Sequence, residues 1–258
     1  MKNERLKAKL AAGETAIGSW LTLPSVAIAE ILALAGFDWL VVDLEHSVTS
    51  IDVAGDMIRV IDLCGVSPLV RLTSNDPDQI KRVMDAGAHG IVVPMVTSAE
   101  EARKAVAATR YAPAGIRGVG LARAQGYGAT FRDYLDWQAR GGPIVIAQIE
   151  HIDAVDALEE ILAVDGIDAF IIGPYDLSAS MGLPGQFDHP DFVAAMARIA
   201  ATATRLGKTS GLHVVEPGAE GLRKAHAAGH RFIAYSVDIR MLDVAARFGT
   251  SLIEELDK

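Results

Sequence analysis

Two carboxylates stand at the ends of apolar stretches of this chain. Glu150 ends residues 144–150, and Asp176 ends residues 171–176. Acidic side chains are rarely buried unless they are paired or bind a metal. Together they could hold a hard divalent cation such as Mg²⁺ or Mn²⁺, with water and substrate as the remaining ligands. They could equally form a solvent-facing salt bridge, and the pair alone does not decide between the two interpretations.

Three further groups with possible chemistry lie at two earlier apolar stretches, residues 39–43 and 68–71. Asp43 and Arg71 end these stretches, and His46 follows Asp43 by three residues. A carboxylate that holds an imidazole fixes its tautomer and raises its basicity, so Asp43 and His46 could form a general base. The alternative is a histidine that caps a loop. Arg71 ends a predicted buried strand and needs an anion. That anion is either a substrate oxyanion or carboxylate, or a structural partner among Asp43, Glu45 and Glu150.

The elements that must position these groups alternate between strand and helix patterns. The predicted strands are residues 15–22, 39–43, 68–71, 90–94, 143–150, 168–173, 208–214 and 232–235. Short, nearly continuous apolar strands indicate a parallel sheet covered on both faces. Eight strand–helix units predict one domain over residues 1–258, a single (β/α)₈ TIM barrel. The alternative, a doubly wound open sheet, would normally carry Gly-x-Gly-x-x-Gly after an early strand, and the first turns lack it.

The candidate residues all fall at one predicted end of this barrel. Active sites of such barrels form where the strands end. Strand ends here carry Asp43, Arg71, Glu150 and Asp176, whereas the turns at the opposite end mostly contain glycine. Alternation along a strand also places Gln148 on the same face as Glu150. This asymmetry predicts that the site lies at the carboxyl ends of the strands.

Composition excludes several classes of protein. The net charge is −9 and the basic residues are scattered, which argues against a nucleic-acid surface. No apolar run approaches the roughly 20 residues of a membrane span. The charged N-terminus leads into no apolar signal core, and a single cysteine, Cys64, excludes an internal disulfide. We therefore expect a cytoplasmic protein without membrane partners, and its mean hydropathy of +0.26 predicts some apolar surface buried in an oligomer.

A long glycine-rich loop, residues 113–128, contains Arg117 and Arg123. Loops of this length in compact domains are often functional. The two arginines either reach a substrate or a neighbouring subunit, or they anchor the loop. No Lys-Ser or Lys-Thr pair follows the glycines, so the loop is not predicted to bind phosphates.

Six short motifs occur in order near the predicted strand ends. They are Asp43-Leu44-Glu45-His46, Leu69-Val70-Arg71, Gly90-Ile91-Val92-Val93-Pro94, Arg117-Gly118-Val119-Gly120, Gln148-Ile149-Glu150 and Gly173-Pro174-Tyr175-Asp176-Leu177-Ser178. Together they resemble the HpcH/HpaI family of class II, metal-dependent pyruvate aldolases, which includes 4-hydroxy-2-oxoheptanedioate and 2-dehydro-3-deoxyglucarate aldolases. The resemblance implies a barrel of the phosphoenolpyruvate/pyruvate type and a divalent cofactor, Mg²⁺, Mn²⁺ or Co²⁺. It also implies a homohexamer, a dimer of trimers, in which the C-terminal helix is exchanged between subunits.

The resemblance also implies a role for each matching residue. Glu150 and Asp176 match the metal ligands of the family, and His46 supported by Asp43 matches its base. Arg71 matches the arginine that contacts the keto oxygen and stabilises the enolate.

Further residues would contact the substrate. In the family, backbone N–H groups of the Gly-Pro-x-Asp turn bind the pyruvate carboxylate, a role that Tyr175 and Asp176 would inherit, and Gln148 matches a substrate-contacting glutamine. Tyr175 stands where the family often has alanine, so its ring is expected to affect specificity. Leu212 is expected to add an apolar wall near the pyruvate methyl group.

The expected reaction is the reversible cleavage of 4-hydroxy-2-oxoacids to an aldehyde and pyruvate, or a related 2-oxoacid such as hydroxypyruvate, through an enolate. No lysine stands at the strand ends considered, which weighs against a Schiff-base aldolase. Two alternatives remain. A CoA-ester lyase of the citryl- or malyl-CoA type would need a basic groove for CoA, and a non-catalytic metal-binding barrel would show an incomplete set of these residues.

Overall fold

Eight parallel strands close into a barrel in which each strand pairs with its neighbour along the chain and β1 pairs with β8. This description rests on a computed structural model that describes residues 4–256. The strands are β1 Ala16–Leu21, β2 Trp39–Asp43, β3 Ser67–Arg71, β4 Gly90–Val93, β5 Ile144–Ile149, β6 Ala169–Ile172, β7 Thr209–Val214 and β8 Phe232–Val237. The closed barrel confirms the predicted fold and rules out the open sheet.

Helices surround the barrel and connect its strands. Within residues 4–256 they are α1 Glu4–Ala11, α2 Val26–Leu34, α3 Ile51–Leu63, α4 Pro77–Asp85, α5 Ala99–Thr109, α6 Phe131–Ala139, α7 Ile152–Asp156, α8 Leu158–Leu162, α9 Pro174–Ser180, α10 Pro190–Leu206, α11 Ala219–Ala227 and α12 Asp238–Leu256. Residues Arg123–Gly128 form a 3₁₀ segment. None of the helices in this part of the chain combines the length and the apolar character needed to cross a bilayer.

Helices α1 and α9 were not predicted. Helix α1 buries Leu6 and Leu10 in the cluster that fills the barrel interior. Its Lys7 ammonium donates to the carbonyl oxygen of Pro143 at 2.9 Å, just before β5 begins. Because β5 begins at the end opposite its carboxyl end, α1 closes the end of the barrel away from the predicted site.

Side chains alternate between two packed regions along each strand, as the two-residue period requires. The inner cluster contains Val41, Leu69, Ile146 and Ile171, while the neighbouring residues of the same strands pack outward against the helices. The same alternation also turns inward the residue that lies two positions after the last inner residue of β2, β3 and β5. The polar residues at these positions, Asp43, Arg71 and Gln148, therefore meet at the mouth of the barrel.

The glycine-rich loop is anchored at the closed end of the barrel. Arg117 is buried and forms an ion pair with Asp85 at 2.5 Å and a hydrogen bond to the Tyr134 hydroxyl at 2.7 Å. Arg123 pairs with Asp62 at 2.6 Å. Both carboxylates lie in the last turns of helices, which point away from the mouth. Within the chain, these contacts support the anchoring interpretation for both arginines.

We predict that Gly18→Ala destabilises the barrel. A Cβ atom at Gly18 would overlap the indole ring of Trp39, which is itself stacked on Phe232 with ring centroids 4.1 Å apart. Overpacking of this kind costs about 1–3 kcal/mol in the free energy of unfolding, which urea denaturation followed by circular dichroism would measure.

Gly55→Ala in α3 is the matched control. Its new Cβ would lie 3.9 Å from the nearest atom, Cβ of Ala86, so the methyl group fits. Replacing a mid-helix glycine by alanine should raise stability by up to about 1 kcal/mol. A Gly18→Ala protein as stable as the parent would contradict the packing described for the barrel interior.

Candidate active site

A cavity of about 110 Å³ opens at the carboxyl ends of the strands. Seven of the predicted site residues line it: His46, Arg71, Gln148, Gly173, Pro174, Tyr175 and Asp176. Asp43 and Glu150 are both buried. A larger cavity of about 410 Å³ lies by the glycine-rich loop, but the Asp62 and Arg123 charges that border it already pair with each other. The mouth cavity is therefore the one that gathers most of the predicted site residues.

Arg71 is held at this mouth by a fully buried carboxylate. Its Nε donates to Asp43 Oδ1 at 2.8 Å and its Nη2 to Asp43 Oδ2 at 2.5 Å. Nη1 lies 3.3 Å from Glu45 Oε2, and the guanidinium sits over the Trp20 ring, 4.5 Å from its centroid. A bidentate pair fixes the plane of an arginine as well as its position. The anion that Arg71 needs within the chain is thus Asp43, assisted by Glu45.

The predicted side-chain contact between Asp43 and His46 does not form. The Asp43 carboxylate already receives the guanidinium, and its Oδ1 also accepts the backbone N–H groups of Glu45 at 2.9 Å and His46 at 3.3 Å. The carboxylate that lies beside the imidazole is instead that of Glu45, whose Oε2 is 3.8 Å from His46 Nε2. Asp43 therefore supports His46 only through the backbone, and the His46 side chain is 65% exposed at the mouth.

Glu45 is a site residue that sequence reasoning missed. The alternation that turns Asp43 inward, continued two residues past the end of β2, would have placed Glu45 toward the same mouth. Burial raises the pKa of Glu45, the Arg71 guanidinium opposes this, and the charges of Glu150 and Asp43 add to the rise. The mouth therefore gathers more negative charge than Arg71 alone balances.

Glu150 lies just past the end of β5 and is held by two donors. Its Oε1 accepts the backbone N–H of Met95 at 2.7 Å, and its Oε2 accepts a hydrogen bond from the Gln148 amide. Gly173 leaves room for this carboxylate, because a Cβ there would lie 2.8 Å from Glu150 Oε2. Burial raises the pKa of Glu150 and the charge of Asp176 raises it further, against the lowering by the hydrogen bonds and by Arg71.

These residues fit a divalent cation of the hard, oxygen-binding type. The charge of Asp176 raises the proton affinity of Glu150, and a positive charge between the two carboxylates would relieve this repulsion. No group of three or more histidine, cysteine or acidic side chains suited to a metal occurs within residues 4–256. Mg²⁺ commonly binds through only one or two carboxylates and keeps several waters. Glu150 and Asp176 match that open kind of site, and Gly173 provides the space beside it.

The expectation for Leu212 is wrong by one residue. On β7, His213 pairs with Ala234 of the inner cluster, so His213 faces the barrel interior and lines the mouth cavity. Leu212 faces the helices and packs beside Val214 and Ile233. Because successive residues of a strand point to opposite faces, a shift of one position exchanges an apolar wall for an imidazole.

Tyr175 lines the rim of the cavity and is 61% exposed. Its ring meets Phe187 edge to face, with centroids 5.0 Å apart, and Phe187 in turn packs against Phe192 of α10. The tyrosine is therefore part of an aromatic cluster at the entrance, and its effect on specificity stays a prediction.

We predict that Gly173→Ala weakens Mn²⁺ binding. The new Cβ would displace the Glu150 carboxylate, and displacing the support of a metal ligand typically costs about 10–100-fold in affinity, which titration calorimetry would measure. Gly118→Ala is the control, since a Cβ there would meet no atom within 4 Å. An unchanged Mn²⁺ affinity in a folded Gly173→Ala protein would contradict this account of the site.

Comparisons with known proteins identify relatives of this chain. The chain is 44% identical over 257 residues to the 4-hydroxy-2-oxo-heptane-1,7-dioate aldolase of Salmonella dublin, covering 96% of this chain and 95% of that protein. It superposes on the crystal structure of an HpcH/HpaI aldolase/citrate lyase family protein from Burkholderia cenocepacia J2315 with a TM-score of 0.90 and 35% identity. That superposition covers 97% of this chain and 99% of the other.

More distant structures share the fold alone. The citrate lyase beta subunit from M. tuberculosis, solved with oxaloacetate and magnesium, is 18% identical with a TM-score of 0.60, over 90% of this chain and 95% of that one. The model of the HpcH/HpaI aldolase/citrate lyase family matches residues 16–244. The family predicted from the six motifs is confirmed: the chain belongs to the HpcH/HpaI aldolase/citrate lyase family and is an enzyme of its aldolase branch.

Proposed function

We propose that residues 1–258 form one catalytic unit that reversibly cleaves 4-hydroxy-2-oxoacids to an aldehyde and pyruvate or a related 2-oxoacid. The observation that carries this proposal is the arrangement at the mouth. Arg71, immobilised by the buried Asp43, faces the same cavity as the carboxylate Asp176, with Glu150 buried beside it. The relatives named as 4-hydroxy-2-oxo-heptane-1,7-dioate aldolases support the same class of substrate.

Glu150 and Asp176 are the residues that would hold a divalent metal, which we propose to be Mg²⁺, Mn²⁺ or Co²⁺. When bound, such a metal supplies Lewis-acid polarisation of the keto group. The Gln148 amide and the Met95 N–H fix the Glu150 carboxylate in place.

Arg71 stabilises the charge that develops on the keto oxygen during enolisation. Fixed donors do this effectively because they need no reorganisation when the charge forms. Asp43 supplies that fixation, since both of its oxygens bind the guanidinium in a fully buried position. Asp43 thus acts as a positioning residue, and Arg71 as the group that touches the substrate.

His46 is the proposed base that removes the proton from carbon 3 of the 2-oxoacid. Its imidazole is exposed at the mouth, with Glu45 as the neighbouring carboxylate. The backbone N–H groups of Tyr175 and Asp176 are in the first turn of α9, where helical N–H groups have no acceptor within the helix. They would hold the substrate carboxylate, with Gln148 beside them in the cavity lining.

No observation favours the CoA-ester lyase alternative. The mouth cavity is small, the surrounding charge is predominantly acidic, and the likeness to citrate lyases at 18% identity reflects the fold alone. Cleavage of citryl- or malyl-CoA, with no cleavage of 4-hydroxy-2-oxoacids, would favour that alternative over the proposal.

We predict that the enzyme exchanges deuterium into the methyl group of pyruvate when Mn²⁺ or Mg²⁺ is added, measured by proton NMR against an EDTA control. Glu150→Gln should lower the exchange rate roughly 10²–10³-fold, equivalent to ~3–4 kcal/mol of lost charge stabilisation. Glu159→Gln is the matched control, because Glu159 is paired with Arg205 on the helical surface. Exchange that is the same with EDTA as with metal would reject the proposed mechanism.

We also propose that the enzyme is a cytoplasmic homohexamer, a dimer of trimers, in which α12 packs on a neighbouring subunit. Helix α12 leaves Leu242, Phe248 and Ile253 exposed, and α2 exposes Ile31 and Leu34. Exposed apolar faces of this kind mark interaction surfaces.

Light scattering coupled to size-exclusion chromatography should therefore give a hexamer. The double substitution Phe248→Glu and Ile253→Glu should lower the mass of the particle, because it places charge on the proposed contact face of α12. Val48→Glu is the control, since Val48 is 90% exposed in a loop of the same chain. A monomeric parent protein at micromolar concentration would contradict the assembly.

A further inference from the structure

His213 offers a fixed hydrogen-bond acceptor to the mouth cavity. Its Nε2 lies 3.0 Å from the backbone carbonyl oxygen of Ser236. Because a carbonyl oxygen can only accept, Nε2 carries the proton, and the other ring nitrogen, Nδ1, keeps its lone pair in the neutral imidazole. Among the described residues, the ring bonds through Nε2, and Nδ1 is not one of the fully buried polar atoms that lack a partner, so it stays accessible to a ligand.

The surroundings keep this imidazole neutral. Burial is the main cause that lowers the pKa of His213 to about 4, and the Arg71 charge lowers it further, against the effect of the Ser236 carbonyl and the Asp43 charge. A neutral ring with a set tautomer is an acceptor at every pH at which a cytoplasmic enzyme works.

Packing also sets the orientation of the ring. His213 contacts Trp20 with ring centroids 5.7 Å apart at an angle of 52°, and Trp20 is covered on another side by the Arg71 guanidinium. The three side chains form one wall of the mouth, from β1, β3 and β7, and line the same cavity as the turn that carries Asp176. An acceptor fixed in such a wall is costly if it remains unpaired when substrate displaces water.

The chemistry of the wall restricts what the acceptor can bind. A carboxylate or keto oxygen would place lone pair against lone pair. A cationic amine would be disfavoured beside this ring, where the effect of the Arg71 charge exceeds the opposing effect of Asp43. A neutral hydroxyl group, which donates one hydrogen bond, meets both conditions.

We propose that His213 determines substrate specificity by accepting, at Nδ1, a hydrogen bond from a hydroxyl group of the substrate. This inference rests on the proposed aldolase function and narrows its substrates to those with a hydroxyl group at the carbon next to the reacting carbonyl. That hydroxyl belongs either to the 2-oxoacid, as in hydroxypyruvate, or to the aldehyde, as in glycolaldehyde.

The test compares substrate pairs in the metal-loaded enzyme. One pair is hydroxypyruvate against pyruvate with a common aldehyde, and the other is glycolaldehyde against acetaldehyde with a common 2-oxoacid. In one of the pairs, His213→Leu should lower the preference in kcat/KM for the hydroxylated member by about 10–100-fold, or ~1.4–2.8 kcal/mol. The pair that responds identifies which substrate carries the hydroxyl group.

Two further variants separate hydrogen bonding from shape. His213→Asn places an amide oxygen near the position of Nδ1 and should restore part of the preference that His213→Leu loses. His226→Leu, on the exposed surface of α11, should keep the parent preference. Preferences that are unchanged in His213→Leu, with aldol formation retained, would overturn this inference alone. If the parent enzyme forms no aldol from any pair, the proposed function fails and this inference fails with it.

Discussion

The buried ion pair between Asp43 and Arg71 is the interaction on which the mouth of this barrel depends. Neither charge would be stable there alone, since leaving one partner of a buried pair uncompensated typically costs about 3–5 kcal/mol. The pair joins the ends of β2 and β3, which are neighbours in the barrel. Asp43 also accepts the N–H groups of the two residues that follow Leu44, so the same carboxylate shapes the loop that carries Glu45 and His46. The buried Asp43 carboxylate thereby fixes both the position of the guanidinium and the conformation of the adjacent loop.

The second constraint is an excess of negative charge around that guanidinium. Burial raises the pKa of both Glu45 and Glu150; the charge of Glu150 adds to the rise at Glu45, and the charge of Asp176 adds to the rise at Glu150. Proteins tolerate such clusters where a ligand or a metal compensates the charge. The acidic mouth and the rigid arginine are therefore complementary parts of one site: the carboxylates attract a cation, while the arginine provides the donors for an oxyanion.

Much of this could be predicted from sequence, because strand ends are local features. Apolar stretches that stop at Asp43, Arg71 and Glu150 identify both the barrel and its active end. The face to which a strand residue points is harder to predict. Leu212 and His213 both fit the strand pattern of β7, and only the pairing of β7 with β8 decides that His213 faces inward. The Asp43–His46 contact failed for a different reason, since spacing cannot reveal that Arg71 already occupies the carboxylate. Helix α1 was missed because its apolar residues have meaning only against a barrel interior that must be closed.

The closure of the barrel by α1 has a consequence for how substrate enters and product leaves. Leu6 and Leu10 close the end of the barrel where the strands begin. In the same buried cluster, the stacked rings of Trp39 and Phe232 fill the barrel interior. Within residues 4–256, which the structure describes, the barrel interior is thus closed at that end and opens at the mouth. Substrate, product, water and exchanging protons all pass the same rim, on which Tyr175 stands. Product must therefore leave past the same rim before the next substrate can bind. The residues of that rim govern the order of product release and substrate binding as well as the choice of substrate.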